Sequence, residues 1–185
     1  MSSLFWTVNL KYSKYANKKS AIKFKLKKGW KLIFVDYGKK NWQKGENFKN
    51  GAKIKVTGGA GFIGSHTCVE LLNAGYDIVV MDNFCNSKPE ALNRIRKITG
   101  KDFKFYETDM LDYEGTCKIF ADQEIDAVIH FAGLKAVGES CRKPLEYYHN
   151  NISGTINLIR AMREYGCKRM VFSSSATVYG MNNPI

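Results

Sequence analysis

Arginine is missing from this 185-residue chain before Arg94, tryptophan after Trp42, and proline is confined to Pro89, Pro144 and Pro184. A mitochondrial presequence would normally use arginine, and the opening MSSLFWTVNLKYSKYANKK has too short an apolar stretch for a secretory signal. No run approaches the roughly 18 apolar residues of a membrane span. Cysteine pairs of the CxxC kind are also absent. Cys68, Cys85, Cys117, Cys141 and Cys167 are scattered, which argues against a disulfide framework or a zinc site and fits a reducing cytosol. The expectation is a cytoplasmic protein without a metal, most of whose thiols are small buried hydrophobes.

Acidic residues are scarce in one part only. The net charge of +12 resembles a nucleic-acid signal, yet residues 1–51 hold 13 Lys against Asp36 and Glu46, whereas residues 52–185 are almost neutral. The basicity therefore belongs to a segment. That segment also holds Trp6, Trp30 and Trp42, and it has weak periodicity and few caps or turn signals. It reads as disordered or loosely packed. Leu32 to Gly38 has strand composition but no evident partner. A basic arm for RNA or acidic lipid is the alternative reading of the segment, but no nucleic-acid or membrane partner is expected for the chain.

From about residue 52 apolar runs alternate with helical stretches. Ile54 and Val56 precede a helix from about Phe62, and Ile78 to Met81 precede a second helix. Phe103 to Phe105, a third helix, Ala127 to Phe131, a long helical stretch from about Pro144 to Tyr165, and Met170 to Phe172 follow. Helical spacing is clear at Cys68, Leu71 and Leu72, and again at Ile152, Ile156 and Ile159. Gly75 and Gly166 sit where helices should stop, and Pro144 suits a first helical turn. Five strands separated by helices predict an α/β fold: a doubly wound parallel sheet of the Rossmann type, ending after about the fifth strand.

The first of these strands runs into Thr57-Gly58-Gly59-Ala60-Gly61-Phe62-Ile63-Gly64. Gly58 permits a tight turn, Gly61 lets a pyrophosphate approach the backbone, and Gly64 lets the helix pack closely on the sheet. The helix N-terminus then faces the phosphates with free N–H groups and the positive end of its dipole. Asp82 answers this loop from the end of the next strand, 24 residues beyond Gly58. A carboxylate there accepts hydrogen bonds from ribose hydroxyls and repels a 2′-phosphate, so NAD is favoured over NADP.

Four blocks extend the pattern: VTGGAGFIGSH (Val56–His66), MDNFCNS (Met81–Ser87), HFAGLKAVGESCRKPLEYYHNN (His130–Asn151) and FSSSATVYG (Phe172–Gly180). In order and separation they resemble the UDP-glucose 4-epimerases of the extended short-chain dehydrogenase/reductase group. The resemblance implies that Phe62 and Ile63 line the pyrophosphate turn. It implies that Asp82, Asn83, Phe84, Cys85, Asn86 and Ser87 hold the adenosine ribose, and that Asp109 and Met110 flank the adenine. Phe131, Ala132, Gly133, Leu134 and Lys135 would run under the cofactor, with Asn150 touching it from the long helix. Ser175 would contact the cofactor and hydrogen-bond the sugar at its reacting carbon, as the catalytic residue of the set. The implied reaction interconverts UDP-galactose and UDP-glucose through a 4-keto sugar, and the complete enzyme is implied to be a homodimer, with the long helix as its face. His130 reads as a packed core histidine rather than a base. Cys85 has nothing nearby to activate it. Tyr147 and Tyr148 read as packing or interface residues. A dehydratase or decarboxylase of the same group, and a non-catalytic NAD-binding fragment, stand as alternatives. A dehydratase would carry acids after the serine, where this chain has Ala176 and Thr177.

The chain departs from the family twice. The YxxxK pair and the substrate domain of such enzymes are not found after Gly180, and Tyr15 with Lys19, which fit the spacing, precede the first strand. An incomplete, inactive chain with apolar surface bared at the sheet edge is expected. In addition, Lys53 and Lys55 bracket Ile54 in a strand that should be apolar throughout. Either Lys55 escapes toward the N-terminal segment, or the join near residue 55 is not evolved sequence. Both departures point to a gene fragment or a misassembled gene model.

Overall fold

Short runs rich in Val and Ile become strands here, because those at the centre of the parallel sheet are buried on both faces. The computed structural model of the chain describes Val35–Asp36 and residues 51–174. The expected irregularity of the rest of the basic segment, the Tyr15/Lys19 pair and the stretch from Ser175 to Gly180 lie outside the described residues.

In chain order the elements are β1 (Val35–Asp36), β2 (Lys53–Thr57), α1 (Phe62–Asn73), β3 (Asp77–Asp82), α2 (Glu90–Thr99), β4 (Lys104–Glu107), α3 (Tyr113–Asp122), β5 (Ala127–His130), α4 (Val137–Arg142), α5 (Pro144–Tyr148), a π-helical turn (His149–Ser153), α6 (Gly154–Glu164) and β6 (Arg169–Phe172). The sheet order is β1-β6-β5-β2-β3-β4. Strands β2 to β6 run parallel, with Val56 beside Val80 on one side and Ile129 on the other. The expected doubly wound sheet of five parallel strands is therefore present. Helices end where glycine permits a left-handed residue, at Gly75, Gly100 and Gly166. Asp112 caps α3, its carboxylate accepting from the Gly115 N–H at 2.9 Å.

Alternation along the strands separates two cores. Ile54, Val56, Ile78, Val80 and Ile129 pack under α1 and α2 with Leu71, Leu72, Leu92 and Ile95. Val128 packs under α3 and α6 with Phe120, Leu158, Ala161 and Met162. The direction of winding reverses between β2 and β5, and a crevice opens there at the carboxyl ends of the strands.

One sequence expectation needs correction, and one of the two alternatives for Lys55 is closed. The strand-like stretch around Val35 does have a partner: Val35 and Asp36 pair antiparallel with Met170 and Arg169, so β1 covers part of the β6 edge expected to be bare. Lys55 does not escape. It stands between Val79 and Val128 in the middle of the sheet and is wholly buried. Its Nζ lies 4.2 Å from the centre of the Phe120 ring and, among the described residues, meets no hydrogen-bond partner. Burial pushes the amine pKa down to about 7, against a smaller opposing effect of the Cys167 and Cys117 thiols.

The long helical stretch from Pro144 is one continuous helix whose middle widens into the π-helical turn. Its periodic residues face outward rather than inward: Leu145, Tyr148, Ile152, Ile156 and Ile159 form an exposed apolar stripe, with the three isoleucines about half accessible. Among the described residues no helix is long and apolar enough to cross a membrane.

The state of Lys55 predicts how stability depends on pH. A lysine whose folded pKa is depressed opposes folding more strongly as pH falls from 10.5 toward 7. The cost grows by about 1.4 kcal/mol per unit and levels off below pH 7 at roughly 5 kcal/mol. Lys55→Met should therefore raise the unfolding midpoint most at and below neutral pH, with the gain shrinking toward pH 10. A gain of equal size across that range would place its origin elsewhere.

Candidate functional site

The cleft at the carboxyl ends of β2, β3, β4 and β5 is built around a glycine turn that tolerates no side chains. Gly58 leaves β2 with φ of +68°, and a Cβ there would lie 2.7 Å from the Ala132 nitrogen. A Cβ on Gly64 would collide with the Gly58 carbonyl oxygen and lie 2.8 Å from Gly59 Cα. Bare backbone thus lets the first turn of α1 sit directly on the loop. Its leading N–H groups, which no helix can satisfy internally, are left at the cleft's end.

Asp82, at the end of β3 and 8% exposed, organises the adjoining wall. One carboxylate oxygen accepts from the Ala60 N–H at 3.0 Å; the other accepts from the Phe84 N–H at 3.0 Å and the Ser87 hydroxyl at 2.7 Å. The turn after β3 is tight enough to force Phe84 to a φ of +56°, which carries its ring away from the cleft onto Phe105. Asn83 accepts from the Cys85 N–H and donates to the Asp109 carboxylate at 2.7 Å. Asp109 also accepts from the Leu111 N–H at 2.8 Å. Burial and the Asp82 charge push the Cys85 thiol up, so it is not an activated nucleophile.

The opposite wall follows β5. Its last residue, His130, is buried between two hydroxyls: Thr57 Oγ1 lies 2.6 Å from Nδ1 and Thr155 Oγ1 lies 2.9 Å from Nε2. The Thr155 hydroxyl proton is used on the Asn151 carbonyl at 2.6 Å, so Nε2 carries the imidazole proton and Nδ1 accepts from Thr57. Burial, reinforced by the Lys135 and Lys55 charges, pushes the His130 pKa down to about 3. This is a neutral structural histidine, as its apolar strand implied. Beyond it, Gly133 (φ of +153°) passes close to the Asn151 side chain.

Most of the sequence-derived residues meet in this one cleft. Gly58 and Gly61 form its end; Asp82, Asn83, Cys85, Asn86, Ser87, Asp109 and Met110 line one side, and Phe131, Ala132, Gly133, Leu134 and Asn150 the other. Others are placed differently. Phe62 and Ile63 point outward as exposed residues, Phe62 against His66, so only their backbone is at the turn. Gly64 lies beneath the loop. Lys135 reaches away to the Ser173 carbonyl at 3.5 Å, and partial burial lowers its pKa. Ser175 lies outside the described residues. Sequence reasoning missed Met81 and Thr108, which line the cleft, and Thr57, Asn151 and Thr155, which brace it. The only signal for the braces is a run of small polar residues beside matched positions. Among the described residues no group of three His, Cys, Asp or Glu could hold a metal ion.

Comparison with known proteins agrees with this fold. A UDP-glucose 4-epimerase of Bacillus subtilis is 68% identical over 128 residues, covering 69% of this chain and 38% of that protein. A UDP-glucose 4-epimerase of Klebsiella pneumoniae is 56% identical over 69% of this chain and 92% of the recorded relative. The crystal structure of UDP-glucose 4-epimerase from Bifidobacterium longum in complex with NAD+ and UDP superposes with a TM-score of 0.71. It has 53% identity and covers 72% of this chain and 41% of that one. Residues 54–185 match the model of the NAD dependent epimerase/dehydratase family. The chain belongs to that family.

Proposed function

We propose that residues 52–185 are the dinucleotide-binding part of a UDP-glucose 4-epimerase, that the cleft takes NAD, and that residues 1–51 are a basic segment outside the family likeness, of which Val35–Asp36 adds an edge strand to the sheet. The observation carrying this reading is the Asp82 carboxylate, buried at the cleft's edge and bonded at once to the glycine loop and the Phe84–Ser87 turn. Four features fit the group. The Gly58–Gly64 turn brings bare backbone to the cleft's end, where a Cβ on Gly58 would strike Ala132 of the cleft wall, and the α1 N-terminus offers N–H donors to a pyrophosphate. Asp82 retains a lone pair on its Ala60-bonded oxygen for a ribose hydroxyl, and Met110, Phe131 and Leu134 give apolar cover. No arginine follows Asp82 before Arg94, so nothing in the nearby chain compensates a 2′-phosphate.

Bound NAD would supply the hydride acceptor and donor of an epimerisation at sugar C4. The chain's own part is to hold and orient it: Asn83, Asp109 and Met110 at the adenine side, Phe131 to Lys135 and Asn150 at the other. Ser175 would hydrogen-bond the sugar near its reacting carbon. The interconversion of UDP-galactose and UDP-glucose is proposed for the longer enzyme, since the chain spans 38% of the Bacillus subtilis relative. No Tyr-x-x-x-Lys follows β2 within the chain, and that pair would be the proton carrier. The exposed stripe of Leu145, Tyr148, Ile152, Ile156 and Ile159 supports pairing of two copies through their long helices. Free Cys68, Cys85, Cys117, Cys141 and Cys167 support a reducing, cytoplasmic setting.

Three measurements test this reading. Calorimetric titration of chain 1–185 should show NAD+ bound in preference to NADP+, with Asp82→Ala weakening NAD+ roughly 10–100-fold through loss of charged hydrogen bonds. Absence of NAD+ binding by folded wild-type chain would end the proposal. The chain alone should give no steady conversion of UDP-galactose in a coupled assay, and sustained turnover would refute that part. In sedimentation, Ile156→Glu should shift self-associated chain toward monomer; an unchanged profile would remove the stripe as the pairing surface.

A further inference from the structure

Asn151 is outside the cleft, yet its side chain is the main polar attachment of the cleft's far wall. Its Oδ1 accepts from the Leu134 N–H at 2.8 Å while its Nδ2 donates to the Leu134 carbonyl at 2.9 Å. Both backbone groups of one loop residue are thereby fixed by a single carboxamide, as a neighbouring strand would fix them. The same Oδ1 accepts from the Asn150 side chain at 2.9 Å, which orients a cleft-lining amide. The backbone of Asn151 is held in turn. Its carbonyl takes the Thr155 hydroxyl, Thr155 takes the His130 Nε2–H, and His130 takes the Thr57 hydroxyl. The Ala132 N–H closes the circuit on Thr57 Oγ1 at 3.4 Å. Each side chain of the ring has a hydrogen-bond partner on either side of it, the kind of connection that makes a buried polar network rigid. The ring encloses the point where β2, β5 and the π-helical turn meet.

We propose that Asn151 is a positioning residue for the bound dinucleotide, presenting Leu134, Gly133 and Asn150 to the half of the ligand beyond the pyrophosphate turn, with Thr57, His130 and Thr155 fixing Asn151 itself. This rests on the dinucleotide reading of the cleft. On that reading Asp82, Asn83, Ser87 and Asp109 serve the adenosine half, and the β5 wall serves the remainder. Loss of Asn151 therefore acts on one half of the ligand. Gly133 belongs to the same device, because a Cβ there would meet Asn151 Oδ1 at 3.2 Å.

The test is parallel titration of chain 1–185 with NAD+ and with AMP, which carries the adenosine half alone. Asn151→Ala should weaken NAD+ about tenfold, the equivalent of a lost buried hydrogen bond or two, and leave AMP within about twofold. Thr155→Val, which removes a hydroxyl without changing shape, should move NAD+ in the same direction by a smaller factor, and Thr155→Ser should restore it. That pair keeps the test decisive if Asn151→Ala fails to fold. Unchanged NAD+ affinity in Asn151→Ala, or equal losses for NAD+ and AMP, would overturn the positioning role while leaving the cleft's assignment intact. Wild-type chain that is folded and binds neither ligand would overturn the assignment itself.

Discussion

A carboxylate with little access to water must find donors, and Asp82 finds three on two different segments. Most of the cleft follows from that requirement. The Ala60 N–H brings the glycine loop up to the end of β3, and the Phe84 N–H with the Ser87 hydroxyl folds the following turn back on itself. An uncompensated buried charge would be costly, so the three donors and the carboxylate hold one another in place. A neutral or apolar residue at this position would leave the two segments without a common anchor. The surface proposed for a nucleotide is thus one that the protein already needs for its own folding.

Much of this was legible from short-range pattern. Strands showed as compact apolar runs and helix ends as glycines. The turn at Gly58 showed because bare backbone is demanded by contacts that only glycine can make, with Ala132 and with the chain around Gly64. The cleft membership of Asp109, Met110 and Asn150 was legible only through family resemblance, since no spacing rule connects them to the loop. What escaped was set by side-chain geometry across the fold. Thr57 and His130 are 73 residues apart in the chain and 2.6 Å apart in space. Nothing local marks either as half of a pair. The rings of Phe62 and Phe84 were not legible for a related reason: membership of a motif fixes the backbone, whereas helix phase and a left-handed φ decide where the ring goes.

The two faces of the sheet differ in how well sequence and environment agree. Under α1 and α2 the core is apolar throughout. Under α3 and α6 the central strand sends an amine into the same kind of space, with an aromatic face as its nearest compensation. A ring quadrupole can offset part of an ammonium's lost hydration, but not all of it. That face is where local sequence contradicts the global pattern, and such conflicts mark reduced foldability beyond their individual cost. Pairing of β1 with the outer half of β6 works in the opposite sense, since it satisfies backbone groups that a bare edge would leave to water.

The widened turn at His149–Ser153 has a consequence for how this site could diversify. A π-helical turn holds one residue more than the α-helical turn it replaces, and each residue advances a helix by about 100°. Removal of a single codon there would restore regular pitch and swing Asn150 and Asn151 round the helix axis, while the apolar stripe on either side kept its own internal spacing. Geometry of the ligand wall and continuity of the helix are therefore coupled through the length of five residues. Insertion or loss at that point gives a lineage a means of re-aiming two amides without altering the sheet beneath them.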